Sequence, residues 1–231
     1  MERETLVMGC KRFHSEGDET SMHRWEGWFQ QGTVKTEQLR AGAHMWLEGD
    51  TGLRGDRLGP LMHLHDGASE LFFFLDGCCR VELGDSFVLA NGGDFLFVPP
   101  EVPHNLWKEG PEDMRLVFVV APNVFENKWR TDGFRLSGWE GSAPLARVEQ
   151  AGELPGDEHL RSRAMRVRGR QLAEPDERER LYLVADGEVR YEDPLLSGVL
   201  GRGDFVHVVA GRPHSLEASD ALVLEITPHV R

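Results

Sequence analysis

Turn signals recur in this chain at one fixed spacing. Asp76-Gly77 and Asp186-Gly187, Gly93 and Gly203, and Pro103-His104 and Pro213-His214 each lie 110 residues apart. One offset shared by three separate motifs argues a tandem duplication. Between the turns of the first copy lie short apolar or alternating runs at 71–75, 80–83, 87–89, 95–98 and 116–120. The second copy repeats the pattern at 181–184 and 203–206. Asp-Gly and Asn-Gly close hairpins because glycine accepts the positive φ that tight two-residue turns require. Many short strands with even punctuation predict an all-β chain of two tandem barrels.

The expected organisation is an N-terminal arm over 1–35, a first barrel over 36–125, a connector over 126–155 and a second barrel over 156–231. The arm is polar with an aromatic cluster at Trp25, Trp28 and Phe29, read as packing on a barrel wall, with a cap over the barrel mouth as the alternative. Residues 49–60, rich in glycine and ending in proline, read as a loop.

Charge excludes some partners. Lys+Arg 26 against Asp+Glu 39 gives a net charge of −13. That balance offers no footprint for nucleic acid or an anionic membrane surface. The longest apolar run, 116–122, is far short of the ~18 residues of a membrane span. The first residues lack the apolar core of a secretory signal, and three cysteines, two of them adjacent, make no disulfide framework. The expectation is a reduced, cytoplasmic protein, with a homodimer as one assembly it could form.

His63-Leu64-His65-Asp66-Gly67-Ala68-Ser69-Glu70 carries the chemistry. On a strand, residues i and i+2 share a face, roughly 6 to 7 Å apart. Two imidazoles so placed can converge on one ion, about 2 Å from each nitrogen. Glu70 follows a short polar loop, read as a hairpin that returns it beside the histidines. Barrel closure would then bring in His104. Three neutral imidazoles and one carboxylate leave a divalent ion a net positive charge and open coordination positions.

The punctuation around these residues resembles a known superfamily. His63-x-His65, four residues, Glu70, six residues and Gly77 is similar to the first cupin motif. Gly93, five residues, Pro99 and then His104 is similar to the second. The resemblance covers most of 60–122 and, more loosely, 170–228. It implies a jelly-roll barrel with His63, His65, Glu70 and His104 as metal ligands. Glu101 stands where the second motif has glycine, and Lys108 where it has asparagine; neither is a ligand position.

At the 110-residue offset His63 falls on Ala173, His65 on Pro175 and Glu70 on Arg180, and only His104 keeps its match, in His214. The second barrel is therefore expected to be metal-free and to bury the outer face of the first. An anion pocket built from Arg180 and His214 is the rival expectation. The arginine run 161–170 reads as a solvated face or a seam between the domains.

Strand parity sets the expected pocket. With Glu70 inward, Phe72 and Phe74 also point in, and Leu71, Phe73 and Leu75 point out and need cover. Phe95, Phe97 and Leu106 are expected to continue the apolar lining. Of Cys78 and Cys79, one should face in and the other out, as packing residues rather than a redox pair.

Such a site suits a metal-dependent oxygenase acting on a small chelating enol, catechol or keto acid with O2. Glu70 would be its catalytic carboxylate, and one divalent transition metal would bind per chain: Fe(II) first, with Mn, Ni, Zn or Cu as alternatives. A non-redox isomerase, cyclase, lyase or decarboxylase would use the same ligands, and a small-molecule-binding protein is the third reading.

Overall fold

The computed structural model describes residues 21–23, 34–46, 62–84, 86–123, 126–129 and 143–229. The regular elements among them are β-strands. In chain order they are β1 (Ser21–His23), β2 (Val34–Lys35), β3 (Arg40–Trp46), β4 (His63–Asp66), β5 (Ser69–Asp76), β6 (Cys78–Leu83) and β7 (Ser86–Asn91). Next come β8 (Asp94–Val98), β9 (His104–Glu109), β10 (Met114–Ala121), β11 (Glu126–Trp129), β12 (Leu145–Arg147) and β13 (Gly152–Glu153). The last are β14 (Leu160–Ala173), β15 (Arg180–Asp186), β16 (Glu188–Glu192), β17 (Ser197–Gly201), β18 (Phe205–Val208) and β19 (His214–Pro228).

Two sheets make the first barrel. One is five-stranded, in the order β11-β4-β9-β6-β7; the other is six-stranded, in the order β12-β8-β5-β10-β3-β2. Their inner faces share one core, with Phe72, Phe74 and Leu96 from the second sheet meeting Val81, Leu83 and Leu106 from the first. Antiparallel pairing across two facing sheets is the jelly-roll arrangement that the resemblance to the cupin motifs implies.

The second barrel is one eight-stranded sheet that turns a corner. Its path runs β1-β18-β15-β19-β14-β13, with β16 and β17 attached through β19. The long strands β14 and β19 shift register between Val167 and Gly169. Gly169 has φ +69°, a backbone state that glycine takes without the Cβ penalty. C-terminal to this bulge, at Leu222–Ile226, β19 pairs with β15; at Ser215–Glu217 it pairs with β16. A bulge of this kind bends strands so that one sheet supplies both walls. Tyr182, Val184, Tyr191, Leu200 and Leu216 fill the space between them.

The barrels share a third core. Leu71, Phe73 and Leu75 of β5 and Val117 and Val119 of β10 pack with Leu181 and Leu183 of β15, Phe205 of β18 and Leu222, Leu224 and Ile226 of β19. The outward apolar row of β5 is thus covered by the second barrel. The same cluster holds Phe95 and Phe97, which corrects their expected place in the pocket. Register is the reason: Phe95 lies opposite Phe73 and Phe97 opposite Leu71, and residues directly opposite share a face. Leu96, opposite Phe72, and Val98, opposite Glu70, take the inner positions instead.

Two expected boundaries also change. Residues 21–23 of the arm form β1, which pairs with β18 and so extends the second barrel's sheet; Trp25, Trp28 and Phe29 lie outside the described residues, as does the loop 49–60. The stretch expected to be a connector carries edge strands of both barrels. β11 pairs with β4, β12 with β8, and β13 with β14. The arginine run lies on β14 and pairs within the second barrel: Arg163 with Glu225, Arg166 and Arg168 with Asp220, and Arg170 with Glu192. Its described pairs therefore form a solvated face rather than a seam between the barrels. Cys79 faces inward and is fully buried, while Cys78 is half-buried. Burial pushes both thiols up, away from thiolate chemistry.

Candidate metal centre

His63 and His65 stand on one face of β4, both buried. β4 is held by β11 on one side, where Trp129 pairs with His63 and Asn127 with His65. On its other side His63 pairs directly with His104 of β9, and their ring centroids are 4.4 Å apart. Glu70 arrives differently from the hairpin expectation. β4 belongs to the five-stranded sheet and β5 to the six-stranded one. The chain crosses between the sheets through Gly67, at φ +76°, so Glu70 faces the histidines across the barrel interior.

Glu70 Oε2 lies 2.8 Å from His65 Nε2 and 2.8 Å from His104 Nε2. One ligand atom from each of His63, His65, Glu70 and His104 lies within 4.8 Å of the others, and all four side chains are buried. Among the described residues this is the one such group of three or more. His104 Nδ1 donates to the Val102 carbonyl at 2.9 Å. That bond turns the ring and leaves Nε2 to face the carboxylate.

The donor set fits a divalent cation. A carbonyl only accepts, so His104 Nδ1 carries a proton. In the neutral ring Nε2 then presents a lone pair to a carboxylate oxygen at hydrogen-bond distance. Two acceptors so close need a proton or a metal ion between them. Burial pushes the Glu70 carboxyl up, but His65 and His104 outweigh it and hold the group well below the usual carboxylate range. An ionised carboxylate and imidazole nitrogens with their lone pairs inward are the forms that ligate metal.

Around this centre the lining is apolar. Phe72 sits with its ring 6.0 Å from His104 and 6.3 Å from Phe74, and Leu106 faces the same interior. Leu96 and Val98 also face it, though nothing in the sequence short of the strand register separates them from Phe95 and Phe97. The turn before His104 carries the departure noted in the sequence. Glu101 adopts φ 63°, the left-handed region where a glycine is at ease. Its amide donates to the His65 carbonyl at 2.9 Å, tying this turn to the ligand strand.

The second barrel builds something else in the equivalent place. His214 Nδ1 donates to the Arg212 carbonyl at 2.9 Å, reproducing the anchor of His104. Its Nε2 meets the Tyr182 hydroxyl at 3.0 Å, and that hydroxyl is 3.1 Å from Glu225 Oε1. Arg180 donates to Asp176 Oδ2 at 2.9 Å and reaches Glu225 at 3.8 Å. Its guanidinium is already neutralised, so the anion pocket expected from Arg180 and His214 does not form. Burial pushes the Tyr182 hydroxyl up and His214 down, so both are held neutral.

A family model for the cupin domain matches residues 54–120, the stretch that contains all four converging side chains. Residues 54–120 are a cupin domain. Over 82 residues, 36% of the chain, the sequence is 32% identical to quercetin 2,3-dioxygenase from Bacillus subtilis (strain 168). That match covers 23% of the relative's length. Among solved structures, the chain is similar to salicylate 1,2-dioxygenase from Pseudaminobacter salicylatoxidans at 16% identity and a TM-score of 0.64, over 84% of this chain and 71% of that one. It is also similar to protein Ylba from E. coli, at 10% identity and a TM-score of 0.65, over 99% of this chain and 97% of that one. At such identities the likeness is one of fold, and it supports two tandem cupin barrels. No helix among the described residues is long and apolar enough to cross a membrane.

Proposed function

We propose that the first barrel is a metal-dependent oxygenase site for a small chelating substrate of enol, catechol or keto-acid type. The observation that carries this reading is the convergence of His63, His65, Glu70 and His104 at the edge of a dry aromatic interior. The relatives support it, since the B. subtilis protein is a quercetin 2,3-dioxygenase and a structure of the salicylate 1,2-dioxygenase holds gentisate. When bound, a divalent transition metal, Fe(II) first, supplies Lewis acidity toward a chelating oxygen and redox chemistry toward O2.

The chain's own residues do the rest. His63, His65 and His104 contribute neutral nitrogens, and the Val102 carbonyl holds His104 in the required tautomer. Glu70 contributes negative charge through Oε2, which faces His65 and His104. Its other oxygen takes no part in those contacts, which suits it to accept the hydroxyl proton of an arriving substrate. Phe72, Phe74 and Leu106 exclude water from the reacting face. Glu70 is thus both ligand and catalytic carboxylate in this reading.

The test is O2 consumption. Protein loaded with Fe(II) should consume O2 when given catechols or enolisable diketones, and Glu70→Gln should abolish uptake. Substrate turnover without O2 uptake would sink the oxygenase reading and favour the non-redox one.

A further inference from the structure

Arg40 sits in an unexpected place. It opens β3, whose Ala41 and Ala43 belong to the core between the barrels. Strand alternation therefore places Arg40 on the opposite, inner face of the first barrel. The register confirms the side: Arg40 lies opposite Val120, and Val120 lies opposite Glu70. Val120 is part of the inner core. Arg40 thus stands in the same cross-strand row as Glu70, two strands away, or about 10 Å at the usual strand spacing.

Arg40 is half-buried, and its Nε is buried with no hydrogen-bond partner among the described residues. Beside it on β2, directly opposite, is Lys35. Like charges in opposite positions of an antiparallel pair repel. No ion pair joins either side chain to a carboxylate among the described residues, in a chain with 39 acidic residues against 26 basic ones. A buried guanidinium nitrogen without a partner costs free energy unless an anion completes it. The planar guanidinium matches a carboxylate, with two parallel hydrogen bonds available.

We propose that Arg40, assisted by Lys35, receives the carboxylate of a small substrate whose other end chelates at the His63, His65, Glu70 and His104 centre. This inference rests on the function proposed above and narrows its substrate class to organic acids. The two cations lie at the edge of the six-stranded sheet. A ligand spanning the row would therefore place its charged end toward solvent and its chelating end inside.

Calorimetric binding of two probes to the metal-loaded protein tests this. Catechol and 3,4-dihydroxybenzoate share a chelating pair of hydroxyls and differ by a carboxylate too distant to chelate with them. The native protein should bind the acid tighter by about tenfold or more, the worth of one hydrogen bond to a charged group. Arg40→Gln should erase that preference while leaving metal content and catechol affinity unchanged, and Arg40→Lys should retain part of it. Lys35→Gln, at an exposed edge position where folding is not at stake, should reduce the preference by a smaller factor. No preference in the native protein, or one that survives Arg40→Gln, overturns the proposal. Protein that holds metal and binds catechol but ignores the carboxylate keeps the function reading and loses this one. Protein that takes up no metal loses both.

Discussion

His104 and His214 share a backbone anchor and differ in what their Nε2 meets. In both, Nδ1 donates to a carbonyl two residues earlier, at 2.9 Å. His104 Nε2 then faces a carboxylate between two further imidazoles, whereas His214 Nε2 faces a tyrosine hydroxyl. His104→Ala should therefore abolish metal retention, measured by elemental analysis after purification without chelators. His214→Ala should leave metal content intact and lower the unfolding free energy by about 1–3 kcal/mol, because Tyr182 loses a partner in a buried place. Equal metal loss in both variants would defeat the one-centre account. The four ligand candidates were legible because their spacing obeys strand geometry and falls between fixed turns. Arg40 was not, since a lone arginine belongs to no motif. Its signal was the alternation with Ala41 and Ala43, which acquires meaning only once the register of β3 on β10 is known.

At the scale of the element, turns were more legible than faces. Gly77 and Gly187 make the same turn in the two barrels, at φ +75° and +83°, but neither closes the hairpin expected of Asp-Gly, because β5 does not pair with β6, nor β15 with β16. A Cβ at Gly77 would run into the Asp113 carbonyl oxygen, and one at Gly187 would lie 2.7 Å from that of Asp220. Gly77→Ala should cost more than the ~1–3 kcal/mol of a left-handed non-glycine residue, because a backbone clash adds to it. Glu101 offers the converse. Its φ of 63° stores strain, so Glu101→Gly should relieve about 1 kcal/mol, less the entropy that glycine loses on folding. Urea midpoints at constant m-value read both changes, and a lower midpoint for Glu101→Gly would show that its side chain earns its place by other contacts. Faces were harder to assign. Phe95 and Phe97 alternate correctly within β8, but alternation alone leaves open which set points inward. Pairing with Leu71 and Phe73 decides it, and pairing between distant strands leaves little local trace.

Across the whole molecule, the second barrel acts as a wall of the first. Polar contacts frame the shared apolar face: Thr36 donates to Glu179 at 2.7 Å, and Arg202 donates to Asp76 at 3.0 Å while Arg115 pairs with the same carboxylate. Burial pushes the Asp76 carboxyl up, but Arg202 and Arg115 outweigh it, so its pKa falls below the ordinary 3.8. A depressed carboxylate contributes stability that is full above its unfolded pKa and is lost as pH drops through the folded one. The stability gap between the native protein and Asp76→Asn should therefore be constant near neutrality and close below about pH 3.8. A gap independent of pH would mean that Asp76 acts by packing instead of charge. The shared core makes a stronger claim. Phe73, 1% exposed, belongs to the first barrel by chain and to the joint core by contact, together with Leu183 and Leu224. Phe73→Ala should cost about 3–5 kcal/mol. Since the apolar face it leaves belongs to both barrels, the loss should move one calorimetric transition for the entire chain. Two separate transitions, with only the lower one shifted, would show instead that each barrel holds itself together and that the interface merely joins them.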